Sequence, residues 1–160
     1  MFRGSLRFLW NIFKVANFFL SPALALSTVE QVLIILAAAF TDAGGYYMGS
    51  RFGRKKICPR ISPNKSWAGA FGGLAACALL FMVMGGIWGQ RGIFLFLLLG
   101  IVVSIAAQFG DFFESALKRA QGVKDSGALL PGHGGVLDRI DSLLFAVPVY
   151  VLLDLFLDFF

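Results

Sequence analysis

Residues 93–110 read IFLFLLLGIVVSIAAQFG. No charged side chain interrupts this run, and it approaches the roughly 20 residues a helix needs to cross a bilayer. Its apolar residues are continuous and not alternating, so the segment satisfies its backbone polar groups as a helix and not as a barrel strand. Working outward, the same pattern recurs along the chain. The 160 residues are 58% hydrophobic and only 14% charged, where a soluble domain carries about a quarter charged residues. An integral membrane protein is the expectation.

Five spans are expected, near 5–27, 29–50, 68–89, 92–118 and 137–160, with ends uncertain by a few residues. The first contains Asn11, Lys14, Asn17 and Pro22, and either crosses the membrane or lies along its surface. Arg3 and Arg7 precede it, but no small-residue cleavage site follows, so a retained helix is expected and not a removed signal. The fourth is long for a bilayer, and its charged last turns should project into water. The chain reads as one membrane domain, residues 1–160, with an N-terminal helix at 1–28 and the main region at 29–160.

Charge sets the orientation. The segment from Arg51 to Ser66 holds Arg51, Arg54, Lys55, Lys56, Arg60 and Lys65 without one acid, which marks the cytoplasmic side. The short turn carrying Arg91 then falls outside, and the stretch from Lys118 to Arg139 returns to the cytoplasm. Both polar loops therefore face the compartment where nucleotides are found. The net charge of +5 bears on topology and anionic ligands, and does not argue for nucleic acid. Cys58 and Cys77 form no CxxC and no His/Cys cluster, so neither a disulfide nor structural zinc is expected.

The acids are not scattered. Of nine, five (Asp111, Glu114, Asp125, Asp138 and Asp141) lie in or just before SALKRAQGVKDSGALLPGHGGVLDRIDS at residues 115–142, which also carries the one histidine, His133. In an apolar protein, acids collect where an ion or a phosphate is handled. Asp111, Glu114, Ser115 and Lys118 share one helical face. Asp111, inside QFGDFF, calls for a bound cation or a basic neighbour. A plain ladder, Asp111 to Ser115 and Glu114 to Lys118, satisfies the same spacing. The glycines around His133 let backbone N–H groups approach a phosphate, although His133 alone reads as readily as a loop hydrogen-bonder. Asp138 and Asp141, three residues apart at a helix start, suit magnesium; a helix cap with a dipole-complementing acid is the other reading. Upstream, Asp42 inside a span is a candidate functional residue. Gly45, Gly49 and Gly53 form a small-residue face for close helix packing. Pro63 stops a helix and brings Lys65 to the mouth of the next span, where a phosphate can meet it.

Ser115-x-x-Lys118-Arg119, then Lys124-Asp125, then Pro131-x-His133-Gly134-Gly135-x-x-Asp138-Arg139-x-Asp141 resembles the signature of the phosphatidate cytidylyltransferases, the CDP-diacylglycerol synthases. Asp42-Ala43-Gly44-Gly45-Tyr46 with Gly49 and Gly53, and Ile61-Ser62-Pro63-Asn64-Lys65-Ser66-Trp67-Ala68-Gly69, are similar to the family's upstream pattern. The resemblance covers roughly residues 30–160, the C-terminal, catalytic half of typical members, which usually carry further N-terminal spans. It implies an all-α, polytopic membrane helical bundle with about five transmembrane helices and two cytoplasmic catalytic loops.

It also implies transfer of the cytidylyl group of CTP to phosphatidic acid in phospholipid biosynthesis. Under it, Asp111 and Asp138 lead in holding Mg2+, with or without a second cation, followed by Asp141 and then Asp125. Lys118, Arg119, Lys124 and Arg139 hold the triphosphate or the lipid phosphate, and His133 contacts phosphate or the leaving group. Asp42, Ser62, Asn64, Lys65 and Ser115 build the CTP pocket. A homodimer in a bacterial inner membrane, active at the cytoplasmic face, is the matching expectation. The family's Ser-Pro-x-Lys-x-x-Glu-Gly block has glutamate where this chain has Ala68. A non-catalytic or impaired member, and the same chemistry on another lipid phosphate, are the alternatives.

Overall fold

The computed structural model describes residues 26–59, 61–89, 91–122 and 141–157. Its elements are helix α1 (Thr28–Phe52), a hairpin of β1 (Lys56–Cys58) and β2 (Ser62–Ser66), then α2 (Trp67–Trp88), α3 (Ile93–Ala120) and α4 (Leu143–Leu157). The expected first span, 5–27, lies outside the described residues, as do Lys124, Asp125, His133, Asp138 and Arg139.

Local chemistry fixes the helix ends. Ser27 Oγ accepts the Glu30 N–H at 3.3 Å, while the Ser27 N–H donates to the Glu30 carboxylate at 2.7 Å. This reciprocal pair satisfies two backbone or side-chain groups at the start of α1. Ser66 caps α2 in the simpler way, accepting the Gly69 N–H at 3.2 Å.

Residues 51–66 were expected to form only a loop, but they contain an antiparallel hairpin, with Lys56 opposite Ser66 and Cys58 opposite Ser62. Pro63 forbids helix here. Tertiary ties then hold the strands. The Trp67 N–H donates to the Lys55 carbonyl at 3.1 Å, and Arg119 Nε donates to the Ile61 carbonyl at 3.3 Å.

Glycine sets how α1 and α2 meet. A Cβ on Gly44 would stand 2.6 Å from the Gly72 carbonyl oxygen and 2.7 Å from Ala76 Cβ. One on Gly69 would stand 2.8 Å from the Gly45 carbonyl oxygen, and one on Gly73 2.7 Å from that of Thr41. The two backbones touch along a seam that admits no side chain. The expected packing role of Gly45 and Gly49 is realised against Gly69, with Gly44 joining them, while Gly53 serves as the C-cap of α1.

The buried core is Leu33, Ile34 and Ala37 of α1, Cys77 and Phe81 of α2, Phe96, Leu99 and Val103 of α3, and Ala146, Val147 and Tyr150 of α4. Larger apolar side chains such as Ile35, Leu79, Val83, Ile105 and Phe156 point outward. An exterior this apolar faces lipid. Among the described residues, three helices are long and apolar enough to cross a membrane: α1 with 25 residues, α2 with 22 and α3 with 28. At 1.5 Å per residue α3 reaches ~42 Å, beyond the ~30 Å hydrocarbon core, so its charged last turns emerge into water. The apolar α4, with 15 residues, is shorter and lies inside the expected fifth span. The molecule is an integral membrane protein of packed helices.

Candidate functional site

At the hairpin end of the bundle, α1, β2, the start of α2, and α3 enclose a cleft of about 220 Å³. Asp42 of α1, Asn64 and Lys65 of β2, and Asp111 of α3 all line it. Four residues expected to act together are thus brought to one place by three separate segments. Lys65 makes an ion pair with Asp111 across the cleft, and its ammonium also lies 4.2 Å from the centroid of the Phe112 ring. Both partners are half-buried, so the pair holds its geometry better than a fully solvated one. Of the ladder, Glu114 to Lys118 forms, at 2.5 Å. Asp111 instead turns to Lys65, because a half-buried carboxylate is better matched by a cation than by the Ser115 hydroxyl.

Asp141 approaches from the turn before α4. Its carbonyl oxygen packs where a Cβ on Gly110 would be, so only glycine beside Asp111 allows this contact. The Ser142 N–H donates to Asp141 Oδ1 at 2.6 Å. The Asp141 carboxyl is pushed up to about 6, first by burial and then by the charge of Asp111. Asp42 adds to the rise, while the Ser142 N–H and Lys65 oppose it. Acids from α1, α3 and the α4 turn therefore sense one another at this end of the bundle.

The sign of the resulting pH dependence is fixed. A carboxyl whose folded value lies above its ordinary 3.8 holds its proton more tightly in the folded protein. Stability from this group is full below 3.8 and is lost as pH rises through about 6. In chelator, the unfolding midpoint of the wild type should fall relative to Asp141→Asn as pH is raised across that window. A pH-independent difference between the two proteins would remove this effect.

Among the described residues, no three carboxylate, histidine or cysteine side chains gather at metal-ligating distance. The donors that do approach one another are hard carboxylate oxygens, three acids with one lysine lining or bordering the same space. That chemistry fits a hard divalent cation. Asp138, the remaining expected ligand, lies outside the described residues.

Other expected site residues lie off the cleft. Lys118 is engaged by Glu114, and Arg119 ties the end of α3 to the hairpin through the Ile61 carbonyl. Ser62 begins β2, and Ser115 lies one turn beyond Asp111. Sequence reasoning missed Thr41, Tyr46, Gln108 and Phe112, which line the cleft with the acids. A signal for Gln108 was available, as an uncharged polar residue inside an otherwise apolar span. Thr41 Oγ1 donates to Ser104 Oγ at 3.2 Å. Gln108 Nε2 donates to the same oxygen at 3.3 Å and to the Ala70 carbonyl at 3.2 Å. This network stitches α1, α2 and α3 together directly beneath Asp42 and Asp111.

A helical membrane protein with an acid- and lysine-lined cleft at its cation-rich end is the class these features define. The model of the cytidylyltransferase family matches residues 4–156, and the chain belongs to that family. Similar proteins include the phosphatidate cytidylyltransferases of Haemophilus influenzae, 42% identical over 134 residues, and of Pseudomonas aeruginosa, 45% identical over 132. Each match covers 81% of this chain, and 46% and 48% of the respective relative. That of Thermotoga maritima is 42% identical over 139 residues, 83% of this chain and 52% of its own. The chain spans about half the length of the curated relatives it matches.

Proposed function

We propose that the protein transfers the cytidylyl group of CTP to phosphatidic acid, giving CDP-diacylglycerol and pyrophosphate. The observation that carries this reading is the meeting of Asp42, Lys65 and Asp111 in one cleft, with Asp141 beside it, in a chain of this family. A lipid phosphate oxygen attacks the α-phosphorus of CTP. The bond from that phosphorus to the bridging oxygen breaks, and pyrophosphate leaves with the electron pair. A phosphate monoester is already nucleophilic near neutral pH, so no strong general base is required. Both reactants are anions, and catalysis consists of neutralising charge and holding the groups in line.

Lys65, held by Asp111 and resting on Phe112, is pre-positioned to meet a phosphate at the cleft. Asp42 and Asn64 complete the nucleotide side, and Ser62 and Ser115, which lie off the cleft, assist from β2 and from the next turn of α3. Lys118, Arg119, Lys124 and Arg139 supply positive charge around the phosphates, and His133 with its glycines contacts the leaving group. Asp111, Asp138 and Asp141, with Asp125 a lower-ranked candidate, would hold Mg2+, which would supply charge neutralisation at the phosphoryl oxygens. The run of cations in the hairpin supports an active face on the cytoplasmic side of a bacterial inner membrane, and a homodimer belongs to the same reading. The lipid tails enter sideways between helices.

The test is conversion of phosphatidic acid by the purified full chain in detergent, with CTP, with and without magnesium. Lys65→Ala should raise the apparent KM for CTP by about tenfold or more, the scale of a lost charged hydrogen bond, and should weaken CTP use more than it harms folding. An unchanged CTP dependence would count against Lys65 as a nucleotide contact. Ala68, in place of the family's glutamate, motivates a second reading, a member that binds without turning over. Tight CTP binding by wild-type protein that gives no product with phosphatidic acid would select it.

A further inference from the structure

A nucleotide site must tell one base from another, and the network under the cleft bears on how. Gln108 has one amide nitrogen with two N–H donors and one carbonyl oxygen that accepts. Both donors are committed, one to the Ala70 carbonyl at 3.2 Å and one to Ser104 Oγ at 3.3 Å. The Ala70 carbonyl can only accept, so the amide cannot be turned over without setting two acceptors against each other. Ser104 is fully buried and is itself engaged by Thr41. Gly73 packs so closely that a Cβ there would stand 3.4 Å from Gln108 Nε2. The amide is thus fixed in position and in orientation, and Gln108 lines the cleft.

Because its nitrogen is spent on the helices, the polar atom that Gln108 has left for a ligand is Oε1, a pure acceptor. Cytosine presents an exocyclic amine, a donor, where uracil presents a carbonyl, an acceptor. We propose that Gln108 is the base-reading residue of this site: its locked Oε1 accepts from the exocyclic amine of a cytosine nucleotide and rejects the matching uracil nucleotide. The inference rests on the cleft holding CTP, as proposed above. Discrimination of this kind is strong, because the wrong base leaves two acceptors facing each other with neither one satisfied. The orientation is imposed from the α2 and α3 side and not by the ligand, so selectivity is present before binding.

The experiment measures equilibrium binding of CTP and of UTP to the purified full chain in detergent micelles with magnesium, for wild type, Gln108→Leu and Gln108→Glu. Wild type should prefer CTP. Gln108→Leu should lower that preference by about tenfold or more. Gln108→Glu loses both N–H donors and with them the contacts that fix the orientation, so its preference for CTP should fall as in Gln108→Leu. Should Gln108→Leu not elute as a folded species, Gln108→Asn, which withdraws the amide by one methylene, takes its place under the same criterion.

A folded Gln108→Leu or Gln108→Asn with the wild-type CTP-to-UTP ratio overturns the assignment while leaving the nucleotide site intact. Equal binding of both nucleotides by wild type overturns it as well. Wild type that binds neither nucleotide removes the proposed function, and the base assignment falls with it.

Discussion

Asp111→Asn is expected to lower CTP-dependent turnover at least about a hundredfold, the scale seen when one preorganised charge-stabilising group is removed from a phosphate or acyl site. The same substitution should leave folding nearly unchanged, because two electrostatic effects oppose each other. Lys65 loses its partner, which destabilises, while Asp141 loses the like charge that ranks second among the causes of its raised value, which stabilises. Titration of Asp141 should also move back toward 3.8 in the variant. The measurement is turnover alongside a detergent unfolding curve at two magnesium concentrations. Turnover within a few-fold of wild type, at matched folding, would remove Asp111 from the reacting centre.

Gly72→Val should have the largest effect on stability. A Cβ at position 72 would already stand 2.6 Å from the Gly44 carbonyl oxygen, which is backbone and cannot rotate away, and would run into the Met48 side chain. Overpacking of this sort costs about 1–3 kcal/mol and more where backbone must shift. Separating α1 from α2 would also pull Asp42 and Lys65 apart, so activity should fall with stability. Gly86→Ala, on the same helix, is the control. A Cβ there meets nothing nearer than Ile93 Cδ1 at 3.6 Å, an ordinary contact, and alanine favours helix. Equal unfolding midpoints for the two variants would show that the seam tolerates a side chain.

The helices were legible where apolar runs end abruptly. The expected spans 29–50, 68–89 and 92–118 correspond to Thr28–Phe52, Trp67–Trp88 and Ile93–Ala120, because Ser27, Ser66, Gly53 and Gly92 punctuate them with caps and breaks. The hairpin was not legible. Its strands are short and rich in lysine, and what holds them comes from elsewhere, above all Arg119 reaching Ile61 from the end of α3. The same division runs through the site. Glu114 with Lys118 is a same-helix pair that spacing alone dictates. Lys65 with Asp111 is a tertiary pairing that no local rule reaches. Asp42 stood out as a charge inside a span. Gln108 did not, since an uncharged amide among leucines and alanines looks like a minor polar interruption until its partners on α2 and α3 are seen.

At the far end of the bundle, the Tyr150 hydroxyl donates to Glu30 Oε1 at 3.1 Å. Glu30 and Thr41 are separated by ~16 Å along α1 at 1.5 Å per residue. Among the described residues, Leu33, Ile34, Ala37, Phe81, Leu99 and Val103 fill the interval, none more than 2% exposed. None of those six carries a polar side chain, so apolar packing separates the two polar ends of the bundle, Glu30 with Tyr150 and Thr41 with Ser104.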